Sequence, residues 1–299
     1  MPQHDQSRGR WAELSLVLVT FIWGSTFVVV QKALTDASPL VFVGIRFSCG
    51  AMVLAALLAR RLGGGRPTPD TWRGGLFAGV FLFSGYALQT AGLRHTTATN
   101  SAFLTGLFVV MVPLLAAIVY RVWPRIPELA GVAVSTTGLS LLTLRGPSLS
   151  LNFGDLLTLG CAISFAAHLL VIGHYTARIP FERLAVLQLA TVGLLGLATC
   201  AWLEQPRLNW TPRLWLAFGI TAILATALAL TVQAWAQRYT TATRAALIFT
   251  LEPVSAWVTA YFVSGETLPL LAAFGAAMIL GGVLLAGWRA PGSKEHEIL

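Results

Sequence analysis

Polar side chains inside long apolar runs are the residues of this sequence that could do chemistry. Glu252 lies near the middle of such a run. If the run crosses a membrane, burying the carboxylate costs about 2.5–3.5 kcal/mol even on a lenient scale, so such residues usually face a cavity or a partner. Pro253 follows and cannot donate to the Phe249 carbonyl, which frees that oxygen for another donor. Glu252 is therefore either a residue that binds a ligand or a protonated residue that joins two helices through a hydrogen bond.

A histidine, His168, lies inside another apolar run, three residues after Phe165 and so on the same helical face. It either lines a cavity or is a neutral packing residue. Because histidine titrates near neutral pH, His168 and Glu252 are also the two groups that could couple a process to protons, and the sequence leaves this open. Arg46 lies inside a third run, where it either pairs or snorkels and marks helix packing, which we favour, or binds a carboxylate.

Amide and hydroxyl groups recur within the same runs. Tyr86, Gln89 and Thr90 share one helical face, and Gln233 stands 144 positions after Gln89. In hydrocarbon such groups either line a cavity or hold helices together, the latter worth about 0.6 kcal/mol on average. Asn100 has the same two interpretations.

Aromatic residues far from the ends of the runs form the last group of candidates. Most tryptophans lie near run ends, as the aromatic belt of a membrane protein predicts. Trp23 instead lies well inside its run, where its indole N–H needs a partner. Together with Phe103, Phe108 and Phe165, it either lines a pocket suited to an aromatic ligand or fills the interior of a helix bundle.

Composition places all these residues in a membrane protein. The 299 residues are 56% hydrophobic and only 11% charged, with a mean hydropathy of +0.73. A soluble domain carries about 25% charged residues. The net charge of +8 does not indicate nucleic-acid binding, since the basic residues occupy short loops and form no continuous stripe. The three cysteines have no metal-ligand or disulfide spacing, so we expect no metal and no cofactor.

Apolar runs of membrane-crossing length predict an all-α integral membrane protein with ten transmembrane helices. Basic residues concentrate in the loops on the side of the N-terminus, which places both termini in the cytoplasm. Only Lys32, Arg94, Arg145, Arg207 and Arg213 would lie on the opposite side. The predicted spans are 11–33, 39–59, 73–93, 98–120, 127–144, 154–176, 182–203, 212–236, 243–263 and 268–288.

An internal repeat organises these spans. The stretch from Gln89 to Thr99 reappears from Gln233 to Thr243, each copy between two apolar runs. The chain therefore divides into two five-helix repeats, residues 11–144 and 154–288. Five spans per repeat is an odd number, so the two copies lie on opposite faces of the membrane and the repeats are inverted. Inverted repeats are typical of secondary transporters, whose substrate site lies near the midplane between the halves. A duplicated bundle with Thr-capped helices is the plainer alternative.

Three sequence motifs resemble the EamA-type members of the drug/metabolite transporter superfamily. They are Phe21-Ile22-Trp23-Gly24-Ser25-Thr26-Phe27, Pro39 with Arg46-Phe47, and Leu251-Glu252-Pro253-Val254-Ser255-Ala256 followed by Gly265-Glu266-Thr267-Leu268. Within that superfamily, the stretch from Thr105 to Pro113 is similar to YddG-type aromatic amino-acid exporters.

This resemblance implies export of aromatic and some other neutral amino acids from the cytoplasm, through a central cavity in a bacterial-type inner membrane. A drug or metabolite exporter of the same fold is the alternative. The predicted substrate-binding residues are Trp23, Ser25, Thr26, Tyr86, Gln89, Thr90, Asn100, Phe103, Phe108, Phe165, His168, Gln233 and Glu252. No catalytic motif is recognisable, so we expect a transporter rather than an enzyme, with amino acids and the lipid bilayer as its partners. The sequence does not indicate an oligomer or a nucleic-acid partner.

Overall fold

The computed structural model describes residues 3–63, 66–96, 98–121, 123–143, 152–264 and 270–287, and this part of the chain is helical with no strand. The all-α prediction is thus confirmed for the described residues. The helices are α1 (Gln3–Ala33), α2 (Pro39–Leu57), α3 (Ala59–Leu62), α4 (Pro69–Gly92), α5 (Ala98–Gly106), α6 (Phe108–Tyr120), α7 (Ile126–Thr143), α8 (Phe153–Thr176), α9 (Phe181–Leu203), α10 (Pro212–Ile220), a π-helical segment (Thr221–Leu228), α11 (Ala229–Ala236), α12 (Ala242–Phe249), α13 (Glu252–Ser264) and α14 (Leu270–Gly287).

Six helical stretches are long and apolar enough to cross a membrane by length and composition. A helix pairs its own backbone N–H and C=O groups, as hydrocarbon requires. The sequence predicted ten crossings, and the structure supports six of this length and composition among the described residues. The six stretches are Arg8–Ala33, Pro39–Leu57, Phe103–Tyr120, Phe153–Thr176, Phe181–Leu203 and Pro212–Ala236.

Local sequence signals define where the helices begin. Pro39 and Pro212 occupy the first turns of α2 and α10, where a missing N–H costs little. Thr68 and Asn152 accept hydrogen bonds from backbone N–H groups three residues on and form capping boxes at α4 and α8. Thr241 caps α12 in the same way through its bond from the N–H of Arg244.

The two halves of the chain pack closely on each other. α4 packs on α8 and α9, α2 packs on α9, and α7 packs on α14. Glycines allow the closest approaches: a Cβ at Gly138 would lie 2.5 Å from the carbonyl oxygen of Gly275, and one at Gly131 would lie 2.6 Å from that of Gly282. The interface between the halves is therefore a large part of the helix packing.

Two loops from different halves are bonded together at one end of the bundle. Ala37 and Leu208 form an antiparallel bridge, flanked by backbone bonds from Ser38 to Arg207 and from Asn209 to Asp36, both 2.8 Å. Glu204 accepts hydrogen bonds from the Ser38 hydroxyl (2.6 Å) and from the first N–H groups of α2, so a carboxylate of one half caps a helix of the other. We call Asp36, Ser38, Glu204, Arg207 and Arg213 the loop clasp.

Candidate substrate cavity

Two helices are interrupted at equivalent places in the two repeats. α5 ends at Gly106 and α6 begins at Phe108, whereas α12 ends at Phe249 and α13 begins at Glu252. The 144-residue offset of the repeat relates Phe108 to Glu252, which are the first residues after the two interruptions. Paired interruptions in corresponding segments mark the substrate site in transporters built from repeats, because the broken turns expose backbone groups to a cavity.

A cavity lies where these interruptions meet the other helices. The empty space in it, counting the open solvent at its mouth, is about 930 Å³. It is lined from α1, α2, α4, α5, α6, α8, α11, α12 and α13, so both halves of the chain build its wall.

Aromatic rings form two groups in the lining. Trp23 packs on Phe249 with ring centroids 5.0 Å apart, and Phe108 approaches the same phenylalanine at 6.5 Å. On the α4 side, Tyr86 meets Phe165 edge to face at 5.3 Å. The rings come from helices of both repeats and give the cavity apolar surfaces on which a flat side chain can stack.

Three polar side chains of the lining, those of Trp23, Gln89 and His168, are tied to defined partners. The Trp23 indole N–H donates to the carbonyl oxygen of Ala225 (2.8 Å), and the Gln89 amide donates to the Thr105 hydroxyl (3.2 Å). His168 Nε2 lies 2.8 Å from Gln188 Oε1. These bonds fix the side chains, because a buried polar group without a partner costs free energy.

Most of the predicted binding residues come together in this one cavity, although their positions span more than two hundred residues of sequence. The two threonine hydroxyls among them, on Thr26 and Thr90, also bond backbone carbonyls of their own helices. The predicted residues in the lining are Trp23, Thr26, Tyr86, Gln89, Thr90, Phe108, Phe165, His168, Gln233 and Glu252.

Two predicted residues, Ser25 and Phe103, are not brought into this lining, and a third, Asn100, is not tested. The Ser25 hydroxyl bonds the Ile22 carbonyl in its own helix (2.9 Å), and Ser25 does not face the cavity. Phe103 packs instead in a hydrophobic cluster with Leu139 and Leu251, because α5 turns that face toward α7 and α14. The side chain of Asn100 lies outside the described residues.

The structure adds lining residues that the sequence did not single out as binding residues. Arg46 faces the cavity, although its position favoured a packing role. Thr105 and Phe249 also line it, and the 144-residue repeat relates one to the other. Applying that offset to Thr105 would have pointed to Phe249, but Thr105 was itself not among the predicted binding residues. Apolar residues complete the wall: Val30, Phe42, Val43, Leu82, Leu93, Leu169 and Leu230.

A helical membrane protein with a cavity between two interrupted helices has the architecture of a secondary transporter. Comparison with known proteins agrees with this class. The model of the EamA-like transporter family matches residues 10–144 and again residues 152–288. The chain therefore belongs to the EamA-like transporter family of the drug/metabolite transporter superfamily, as its motifs predicted. It is a membrane transporter.

Individual relatives carry the same class name. An uncharacterized transporter of Archaeoglobus fulgidus is 34% identical over 281 residues, covering 93% of this chain and 86% of that protein. The uncharacterized inner membrane transporter YedA of Escherichia coli K12 is 23% identical, covering 91% of this chain and 89% of its own length. A solved crystal structure matches with a TM-score of 0.78 at 19% identity, covering 92% of this chain and 98% of the other, and supports the fold.

Proposed function

We propose that this protein is a secondary transporter that exports aromatic and some other neutral amino acids from the cytoplasm by alternating access. The observation that carries the proposal is the cavity at the two interrupted helices, with aromatic and polar walls from both repeats. Aromatic surfaces suit a planar side chain, and the few fixed polar groups suit its polar end. The predicted binding residues that line the cavity are proposed to contact the substrate.

The proposed architecture is ten membrane crossings in two inverted five-helix repeats, residues 11–144 and 154–288. The matching interruptions support it, since repeats of one ancestral module would place a broken helix at the same point in each half. Inversion supplies two alternative packings of similar energy, one open to each side. Both termini are proposed to lie in the cytoplasm of a cell with a bacterial-type inner membrane, as the distribution of basic loop residues favours.

Uptake into liposomes that carry the purified protein tests the function. Labelled tryptophan, phenylalanine and threonine should enter with saturable kinetics and should be accelerated by unlabelled amino acid on the opposite side. Flux without saturation or acceleration would indicate a channel. No flux of any of the three, with flux of other metabolites or drugs, would favour the alternative exporter of the same fold.

Matched variants locate the site in the same assay. Trp23→Leu removes a ring and an indole N–H from the cavity wall, and we expect uptake of tryptophan to fall about tenfold or more. Trp202→Leu is the control, because that side chain is 87% exposed and is not part of the cavity lining. Equal losses in the two variants would place substrate recognition elsewhere.

A further inference from the structure

A guanidinium and a carboxyl group face the cavity without pairing with each other. Arg46 extends from α2 and is only 4% exposed, and Glu252 begins α13 in the other half. Neither belongs to an ion pair in the described part of the chain. A charge inside a membrane protein is costly unless an opposite charge compensates it. A ligand group of opposite charge would therefore be stabilised beside each of these side chains.

Arg46 is held in a fixed orientation. Its Nε donates to the Thr226 hydroxyl at 2.7 Å, and its guanidinium carbon lies 5.1 Å from the ring centroid of Tyr86 and 5.3 Å from that of Phe47. These contacts hold the guanidinium in place, and it also interacts with the Tyr86 side chain through a hydrogen bond, while no carboxylate of the described residues pairs with it. A planar fork of N–H donors matches the two oxygens of a carboxylate.

The second repeat contributes a hydrogen-bond acceptor to the cavity. Gln237 Nε2 donates to the Leu169 carbonyl (2.9 Å), so Gln237 Oε1 must accept from Gln233 Nε2 (3.1 Å). This relay orients the Gln233 amide and leaves its Oε1 buried without a hydrogen-bond partner among the described residues. Gln233 lines the cavity with only 2% of its surface exposed. An N–H donor of a ligand would satisfy this oxygen, and the bond would be favourable because an unpaired buried acceptor costs free energy.

We infer that the cavity recognises a zwitterion with a fixed polarity: Arg46 binds its carboxylate, and Glu252 together with Gln233 binds its ammonium group. This inference rests on the proposed function and makes Arg46 a specificity-determining residue. A zwitterion compensates both charges at once, whereas a ligand with only one charge leaves the other group unpaired. Decarboxylated or deaminated analogues of an amino acid are therefore rejected.

Binding of three related compounds to the purified full-length protein tests the inference. Phenylalanine carries both charges, phenethylamine lacks the carboxylate, and 3-phenylpropionate lacks the ammonium group. Isothermal titration with the wild-type protein should give an affinity for phenylalanine about tenfold or more above that for either analogue. Equal affinities for phenylalanine and one analogue would overturn the inference, and this arm needs no variant to fold.

Two variants then assign the polarity. Arg46→Gln should weaken binding of phenylalanine and 3-phenylpropionate about tenfold while leaving phenethylamine unchanged, and Arg46→Lys should restore part of the loss. Glu252→Gln should weaken the binding of phenylalanine and phenethylamine and leave the binding of 3-phenylpropionate unchanged. Uniform losses for all three compounds in either variant would make that residue structural and would overturn its role.

Labelled uptake separates failure of the inference from failure of the proposed function. Phenylalanine transport without discrimination against the analogues would overturn the inference and retain the function. Binding with the expected discrimination, but no transport of any labelled amino acid, would overturn the proposed function and retain zwitterion recognition.

Discussion

The indole N–H of Trp23 donates to the carbonyl oxygen of Ala225 over 2.8 Å and so joins α1 of the first repeat to the π-helical segment of the second. The same segment supplies the Thr226 hydroxyl that orients Arg46. A π-helical turn has one more residue than an α-helical turn and is frequent at functional sites. Here it presents a carbonyl and a hydroxyl on successive residues to two side chains of the cavity wall.

Replacing Trp23 by Phe should destabilise the protein by about 0.5–1.5 kcal/mol through loss of this hydrogen bond, beyond the effect of the smaller ring. Trp257→Phe is the matched control, because the Trp257 indole N–H is buried without a partner among the described residues. Removing that N–H should cost little or nothing. Thermal unfolding in detergent, followed by a thiol-reactive dye that detects exposure of buried Cys161, compares the two. Equal losses of stability in the two variants would mean that the hydrogen bond from Trp23 to Ala225 contributes no stability.

Gly24 lets α1 approach α13 at the residue that begins the second interrupted helix. A Cβ at Gly24 would lie 2.6 Å from the carbonyl oxygen of Glu252 and 2.8 Å from the backbone nitrogen of Ala256. Because backbone atoms cannot rotate away, Gly24→Ala must separate the helices, and we expect a loss of about 1–3 kcal/mol together with loss of transport.

Gly219→Ala provides the control for this packing argument. Nothing lies within 4 Å of a Cβ at Gly219, so the change should be neutral or stabilise α10 by up to about 1 kcal/mol. Thermal unfolding and uptake are measured for both variants. Normal transport by Gly24→Ala would show that the close approach of α1 and α13 is not required.

Hydropathy predicted the helices well, because a membrane span needs a run of apolar residues whatever its neighbours do. Predicted ends such as those at 33, 120, 176, 203 and 236 coincide with helix ends. In the ninth predicted span, Pro253 indicated a freed carbonyl at Phe249, where α12 ends, but the interruption within the fourth predicted span was not predicted. Pro113 lies inside α6, several residues past the break, so the position of a proline does not by itself give the position of a break.

The rotation of a helix about its axis is what the sequence leaves undetermined at the candidate site. Arg46 was recognisable as a charge inside a span, but whether it faces a cavity or a neighbour depends on packing against other helices. The same uncertainty separates Phe108, which lines the cavity, from Phe103, which does not. The π-helical segment contains neither Gly nor Pro, and no residue pattern in it signals the wider turn.

The orientation in the membrane is testable with cysteine labelling. In a variant without Cys49 and Cys200, a cysteine at Asn209 should react with an impermeant maleimide added outside intact cells, since this loop is predicted to face away from the cytoplasm. A cysteine at Arg125 should react only after the membrane is opened. The reverse pattern would invert the topology and turn the proposed export direction around.

The loop clasp should respond to acid through Asp36. Hydrogen bonds from Arg213 and Thr211 hold the pKa of Asp36 below its usual range, and Arg213 reaches the carboxylate at 2.8 Å. A lowered folded-state pKa stabilises the protein at pH values above the unfolded-state pKa of about 3.9, and this stabilisation is lost as the pH falls through the lower folded-state value. The clasp is therefore intact at neutral pH and weakened only in strong acid.

Asp36→Asn should accordingly lower the thermal midpoint relative to wild type at pH 7, and the difference should shrink toward zero as the pH falls below about 4. Asp70→Asn serves as the control, because Asp70 is exposed and belongs to none of the ion pairs in the described part of the chain. Arg213→Gln should reproduce the Asp36→Asn effect, and the double variant should add little, since both changes break one interaction. A difference between wild type and Asp36→Asn that stays constant down to pH 2 would exclude an ionised Asp36 as the source of the stabilisation.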